Sequence, residues 1–237
     1  MSSPTILAIE TATSACSAAL RHNDQVWSAF EVGNNVHSKL LLQMVSGLFA
    51  EANIDAQTLD AVAVGQGPGS FTGLRIGVGV GQGIAYGAAC PMVGISSLDV
   101  LARSVSTQFQ DNQQSVIAAI DARMGEIYWA EYSIEGQTLH RVSDLLVTPP
   151  EDLKASSNNA LLVGNAWAEY WDSLDANQFD KSRVLSESKY PKATDLLELA
   201  GVAFASGQTC SAADFAPIYV RNDVAKKSTK PLPGRRI

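Results

Sequence analysis

The pattern that most constrains this chain is written twice. Ile6-Leu7-Ala8-Ile9-Glu10 and Ile117-Ala118-Ala119-Ile120-Asp121 are both apolar strands that end on an acidic residue. The residues after each strand are also alike. After Glu10 come the small residues TATSACSAAL, a turn at His22-Asn23-Asp24 and a strand-like run over 26–32. After Asp121 come Arg123-Met124-Gly125, the aromatic run Ile127-Tyr128-Trp129-Ala130-Glu131-Tyr132 and a turn at Glu135-Gly136. Each half therefore opens as a strand meander whose first tight turn follows a carboxylate, which suggests two related lobes facing one another. Any two apolar strands look somewhat alike, and that plainer reading stands beside the duplication.

Between the openings the period turns helical. Val36, Leu40, Leu41, Met44, Val45, Leu48, Phe49 and Ala52 share one broad face, with Asn34 or Asn35 as its cap. A buried strand over 61–65, a loop GQGPGSFTG and a helix over 98–105 come next, then a strand at 161–164 and a helix over 193–206. The polar stretch STQFQDNQQS, 106–115, cannot bury itself and marks the break. The expectation is an α/β protein with an N-terminal lobe over 1–108 and a C-terminal lobe over 109–237.

The segment from Gly67 to Arg75 resembles a phosphate loop, but no lysine follows its last glycine, so it is not a P-loop. Gly73, Gly77 and Gly81 lie four apart, as do Gly79, Gly83 and Gly87, and on a helix they make two adjacent ridges of bare backbone. Each interior glycine costs roughly 1 kcal/mol against alanine, so close packing must offset it. The expected neighbour is the helix beginning at Val36, or a subunit across a dimer interface. Alternating glycines also permit a strand, which would pack poorly with one bare face.

Composition excludes several functions. A net charge of −7 and a pI near 4.9 argue against a stand-alone nucleic-acid binder, so any RNA contact is local or lent by a partner. Cys16, Cys90 and Cys210 have no CxxC spacing, which fits a reducing cytosol without disulfide or zinc. MSSPTILAIE has no basic n-region, so no signal peptide is read there, and the uncharged run 76–98 carries too many glycines for a membrane span. His22, His37 and His140 form no HxxxH or HExxH pair, so no metal site is expected. Ser70 lacks the Gly-x-Ser-x-Gly elbow, which leaves Ser70 and Thr72 as loop or cap hydroxyls. Arg75 suits an oxyanion or a bracing carboxylate equally. Glu10 and Asp121 remain, each at a hairpin mouth and facing one cleft, where they could position a magnesium ion or water beside the hydroxyls of Thr11, Thr13 and Ser14. Strand-end residues satisfying their own turns is the simpler reading. The C-terminus holds Arg221, Lys226, Lys227, Lys230, Arg235 and Arg236, six of the 17 basic residues, and is a solvated tail or a contact for RNA or an acidic partner.

The run GQGPGSFTGLRIGVGVGQGIAYG, with AIETATSACSAAL before it, AIDARMGEIYWA after it and IYVRNDVA near the end, closely resembles the TsaB (YeaZ) family of bacterial tRNA threonylcarbamoyladenosine biosynthesis subunits. The resemblance spans nearly the whole chain. It implies the actin-like ATPase (ASKHA) fold, and a cytoplasmic, non-catalytic subunit that supports its paralogue TsaD, with TsaE in the larger complex. TsaD transfers threonylcarbamoyl to the adenosine 3′ of the anticodon in tRNAs reading codons that begin with A, and tRNA would be met only through the complex. Thr11, Thr13 and Ser14 match the fold's first phosphate hairpin, Asp121, Arg123 and Gly125 the second, and Gly164 and Asn165 the adenosine loop. The first hairpin and adenosine loop are poor in glycine, so no tightly bound cofactor is expected, with ATP or ADP possible at the complex. The TsaD or homodimer interface would comprise His37, Leu41, Met44, Val45, Leu48, Gly73, Arg75, Gly77, Val80 and Gly81. The rival activities are a small-molecule phosphotransferase using Asp121 and, with less support, a peptidase.

Overall fold

The computed structural model describes residues 3–106, 114–136, 138–174 and 178–221. The first sheet has the order β3-β2-β1-β4-β5, from β1 (Ile6–Glu10), β2 (Ala15–His22), β3 (Gln25–Val32), β4 (Ala61–Gly65) and β5 (Met92–Ile95). The first three strands form an antiparallel meander, and β4 and β5 run parallel to β1. Asn23 and Asp24 both have left-handed φ (49° and 64°), the geometry of the two-residue hairpin that suits strand twist. The second sheet repeats the plan as β10-β6-β7-β8, from β6 (Gln114–Arg123), β7 (Glu126–Glu135), β8 (Thr138–Arg141) and β10 (Leu161–Val163), with β9 (Leu146–Thr148) paired to β7. Here β10 is parallel to β6 as β4 is to β1. The repeated opening is thus a repeat of topology, in an α/β protein of two similar lobes.

Strand alternation gives each sheet two buried faces. From β1, Leu7 and Ile9 face α1 (Val36–Ala52) and α2 (Phe71–Ala88), where Leu41, Val45, Leu48, Val78 and Ala85 close one core. Ile6 and Ala8 face the other way, onto Leu196, Leu197 and Ala200 of α5 (Ala193–Ala205). Helix α3 (Ser97–Ser106) shares Val100 with that layer and turns Leu98, Leu101, Ala102 and Val105 toward β6 and β7. The spine between the sheets is therefore α3 and α5. The outer face of the second sheet packs Ile117, Ile127 and Trp129 on Trp167 of α4 (Ala166–Tyr170) and on Phe179.

The glycine-rich segment is a helix, α2, and its ridges have different neighbours from those expected. A Cβ on Gly73 would sit 2.2 Å from the Thr11 carbonyl oxygen, one on Gly77 2.2 Å from Thr11 Oγ1, and one on Gly81 2.6 Å from Val64 Cγ2. The first ridge lies against the β1–β2 turn and β4 of its own lobe, not against a helix. The Thr11 hydroxyl completes the contact by donating to the Gly73 carbonyl at 2.9 Å. Gly79, Gly83 and Gly87 meet nothing within 4 Å among the described residues and lie exposed. Asn35 does precede α1, but in a left-handed conformation (φ 59°) and without a side-chain cap bond. His140 lies within β8. Most of the polar stretch 106–115 falls outside the described residues.

Candidate functional site

The two lobes enclose a cleft of about 920 Å³. Its walls come from the β1–β2 turn (Ala12, Thr13, Ser14), the N-terminal turns of α1 and α2, the end of β6 with its turn (Asp121, Arg123), Asn165 before α4, and the C-terminal residues Ile218, Tyr219 and Arg221. Arg75, Arg123 and Arg221 line it, against one carboxylate, Asp121, although the chain as a whole is acidic. That lining favours an anion over a cation.

The two hairpin carboxylates do not share this cleft. Glu10 is 1% exposed and turned inward, beneath the β1–β2 turn. Its Oε1 accepts the Ala12 N–H at 2.8 Å and its Oε2 accepts the Ser97 hydroxyl at 2.9 Å, so it ties β1 to the start of α3. Gly65 on the neighbouring strand leaves the room, since a Cβ there would come within 2.0 Å of Oε2. Burial raises the Glu10 pKa to about 7 against these three donors, the backbone N–H groups of Ala12 and Thr11 and the Ser97 hydroxyl. Glu10 is a fastener, and cannot reach a ligand.

Asp121 does line the cleft, but its oxygens are engaged. Oδ1 accepts the Arg123 N–H at 2.7 Å and the Tyr170 hydroxyl at 2.8 Å, and Oδ2 pairs with the Arg123 guanidinium at 3.1 Å. Desolvation first, and the bond to Asp121 next, push the Tyr170 pKa to about 12, so the phenol stays a donor. Asn165 accepts the Asp121 N–H at 3.1 Å, which joins the second hairpin to the start of α4.

The other residues singled out in the sequence divide between surface and interior. Thr13 and Ser14 line the cleft, and Thr13 Oγ1 accepts the Ala15 N–H at 3.2 Å. Thr11 is buried with its hydroxyl committed to Gly73. Gly164 has φ 113°, and a Cβ there would sit 1.9 Å from the Ala119 carbonyl oxygen, so close approach of β6 demands glycine. Gly125 completes a turn of left-handed residues with Arg123 and Met124. Ser70 is a cap hydroxyl, accepting the Gly73 N–H at 3.2 Å, and the Ser70 N–H bonds the Ala12 carbonyl at 2.7 Å. Arg75 braces the loop without a carboxylate: it stacks 3.7 Å above Phe71 and donates to the Tyr219 hydroxyl at 3.3 Å.

Among the expected interface residues, Leu41, Val45 and Leu48 belong to the core under α1, and Gly73, Gly77 and Gly81 are buried against the first sheet. These six are consumed by the fold of their own lobe and present no surface. His37, Met44, Arg75 and Val80 keep some exposure, with His37 Nε2 3.0 Å from the Ala15 carbonyl oxygen. The outward sides of the same two helices carry Leu42 on α1, 65% exposed, and Tyr86 on α2, 84% exposed, the latter on the helix of the open glycines. Sequence reading also missed Ser97 and Tyr170, residues without a motif that reach their places only by long-range packing, and gave no role to Tyr219 although it lies in the run IYVRNDVA. Among the described residues no group of three His, Cys, Asp or Glu side chains could hold a metal ion, and no helix is long and apolar enough to cross a membrane.

Two duplicated meanders, each backed by a parallel strand and joined across a cleft, define an actin-like ATPase-type (ASKHA) protein. A family model described as TsaD: tRNA N6-adenosine threonylcarbamoyltransferase matches residues 31–229. The tRNA threonylcarbamoyladenosine biosynthesis protein TsaB of Escherichia coli is 38% identical over 97% of this chain and 99% of its own length. That of Haemophilus influenzae is 36% identical over 99% and 100%. YeaZ from Pseudomonas aeruginosa superposes with a TM-score of 0.81 at 37% identity, over 91% of this chain and 99% of that one. The chain belongs to the family of that model and, within it, to the TsaB proteins.

Proposed function

We propose that this chain acts in tRNA threonylcarbamoyladenosine formation as a non-catalytic subunit, docking on TsaD in the cytoplasm through the outward sides of α1 and α2. The observation that carries the reading is a contrast. The carboxylates at the two catalytic positions of the fold are committed inside this chain, Glu10 to Ala12 and Ser97 and Asp121 to Arg123 and Tyr170. Meanwhile Leu42 of α1, and Tyr86 with the open backbone at Gly79, Gly83 and Gly87 of α2, are exposed on two helices that pack on each other. Apolar side chains beside exposed backbone let another helix approach closely, and TsaD, a paralogue of the same fold, would bring one. The same surface would pair two copies when TsaD is missing, and TsaE would join only the assembled complex. Contact with tRNA then comes through the complex, in keeping with the acidic charge.

Adenine nucleotide belongs to the assembled complex rather than to the isolated chain. Support comes from the first hairpin, where the Thr11 hydroxyl is spent on Gly73 and the Ala12 carbonyl on Ser70.

The docking test uses positions where added side chains meet nothing within the chain. Gly83→Leu and Leu42→Asp are each mixed with purified TsaD and followed by size-exclusion chromatography with light scattering. Loss of the complex, with the far-UV spectrum retained and melting not lowered, supports the assignment. Full complex formation by both variants would remove this surface from the interface. ATP turnover by the isolated chain that disappears in Asp121→Ala would instead support a small-molecule phosphotransferase.

A further inference from the structure

The polypeptide passes between the lobes a third time at its C-terminal end, and the passage crosses the mouth of the cleft. Residues 210–218 are laid firmly along the first lobe. Cys210 and Met92 exchange two backbone bonds, of 2.9 and 3.0 Å. The Gln82 amide donates to the carbonyls of Ala212 and Phe215, and Phe215 is buried in the core beneath α2. The Gln66 amide donates to the Ala216 carbonyl at 2.9 Å, and the Ile218 N–H returns to the Gln66 carbonyl at 2.8 Å. Tyr219 then leans on Phe71, with ring centres 6.1 Å apart, under the bond from Arg75.

Beyond Tyr219 the partners change lobe. Val220 packs against the core of the second sheet. The Arg221 guanidinium donates to the Ala122 carbonyl at 3.3 Å and pairs with the Glu126 carboxylate at the start of β7. Its Nε is buried without a hydrogen-bond partner among the described residues. The grip on the first lobe thus rests on main-chain bonds, two glutamines and a buried phenylalanine, whereas the grip on the second rests on Val220 and on one side chain, Arg221, which bonds the Ala122 and Arg123 carbonyls and the partly exposed Glu126. Such an end is the weaker one, because leaving a buried donor unpaired costs free energy that release would recover.

We propose that residues 216–221 form a strap across the cleft, with Arg221 and Glu126 as the latch that holds the lobes at their observed separation. Releasing the latch opens the cleft while each lobe keeps its fold. The strap determines access to the cleft whatever ligand or partner enters it.

Spin labels at Lys39→Cys on α1 and Glu169→Cys on α4, both exposed, report the distance between lobes in full-length chain with Cys90 and Cys210 replaced by serine. The latched chain gives one narrow distance distribution. Arg221→Ala, and independently Glu126→Gln, shift it to longer and broader distances, and the double variant adds little to the stronger single one. Hydrogen exchange run alongside shows amides 218–221 and 122–126 exchanging about tenfold faster while those of α5 are unchanged, the signature of local opening. Distributions identical to the parent in both single variants overturn the proposal. So does an equal rise of exchange in α5, which would make Arg221 a general stabiliser rather than a latch.

Discussion

Burial of Glu10 makes stability depend on pH in a direction opposite to that of an ordinary surface carboxylate. Its pKa stands at about 7 in the folded chain against 4.5 for a free side chain, so the folded state binds the proton more tightly than the unfolded one. The contribution is fully present below pH 4.5, falls as pH rises toward 7, and is level above it. Between pH 5 and pH 8 the loss is roughly 2–3 kcal/mol, worked from those two values at about 1.4 kcal/mol for each pH unit. Glu10→Gln removes the ionisation and keeps the shape: the amide oxygen still accepts the Ala12 N–H, and the amide nitrogen donates to Ser97 Oγ. Urea unfolding of parent and variant at pH 5, 6, 7 and 8 isolates the effect, since Asp195, also raised by burial to about 6, contributes equally to both. The stability of the variant relative to the parent should improve by roughly 2–3 kcal/mol from pH 5 to pH 8. Parallel curves would mean that the bonds from Ala12 and Ser97 outweigh desolvation and that Glu10 is ionised without cost.

The glycines supply two further outcomes of opposite sign. Gly65→Ala drives a Cβ into the Glu10 carboxylate at 2.0 Å. It should lower the urea midpoint by an amount equivalent to about 1–3 kcal/mol, the usual range for overpacking. Gly83→Ala meets nothing within 4 Å in the middle of α2 and should stabilise by about 1 kcal/mol, seen as a higher melting temperature. Tyr170→Phe withdraws the hydroxyl from Asp121 Oδ1, and faster hydrogen exchange over 121–125 with little change in melting is the expected result.

Much of the fold was legible because its signals are local. The two acidic strand ends, the turn at Asn23-Asp24 and the period of α1 and α5 each rest on neighbours a few residues away. The glycine ridges were legible only in part. A row of glycines four apart announces that something comes close, but it does not name what. Gly73 and Gly77 are bare because of Thr11, about sixty residues earlier and on a turn, and no periodicity in either segment couples them. The apolar stripe of α1 misled in a related way. Leu41, Val45 and Leu48 are the same residues that a helix would use for a partner or for its own core, and the sheet beneath them decided for the core. The C-terminal strap was legible only as the run from Ile218 to Arg221 that shares in the family resemblance; its course was not, since 210–221 follows no period and its partners, Met92, Gln66, Gln82 and Glu126, lie far earlier in the chain.

The unequal fates of the two hairpin carboxylates follow from how closely each hairpin is packed. In the second hairpin, three consecutive left-handed residues bend the chain so that Asp121 stays at the cleft surface, 7% exposed at its side chain. In the first, the loop before α2 lies directly on the β1–β2 turn: a Cβ on Gly69 would be 2.2 Å from the Ala12 carbonyl oxygen, and Ser70 donates to that oxygen. Backbone packed this closely seals Glu10 beneath it, and Gly65 and Ser97 make the sealed position tenable. The sealing is also what admits a six-glycine helix, because the first ridge of α2 finds its close contact in the same turn. Reopening the first hairpin to a ligand would therefore remove the packing that makes α2 a helix, and with it the outward surface at Leu42, Tyr86 and Gly83. In this chain the contact that seals Glu10 and the contact that lets α2 be a helix are one and the same, so the first hairpin and the α1–α2 surface stand or fall together.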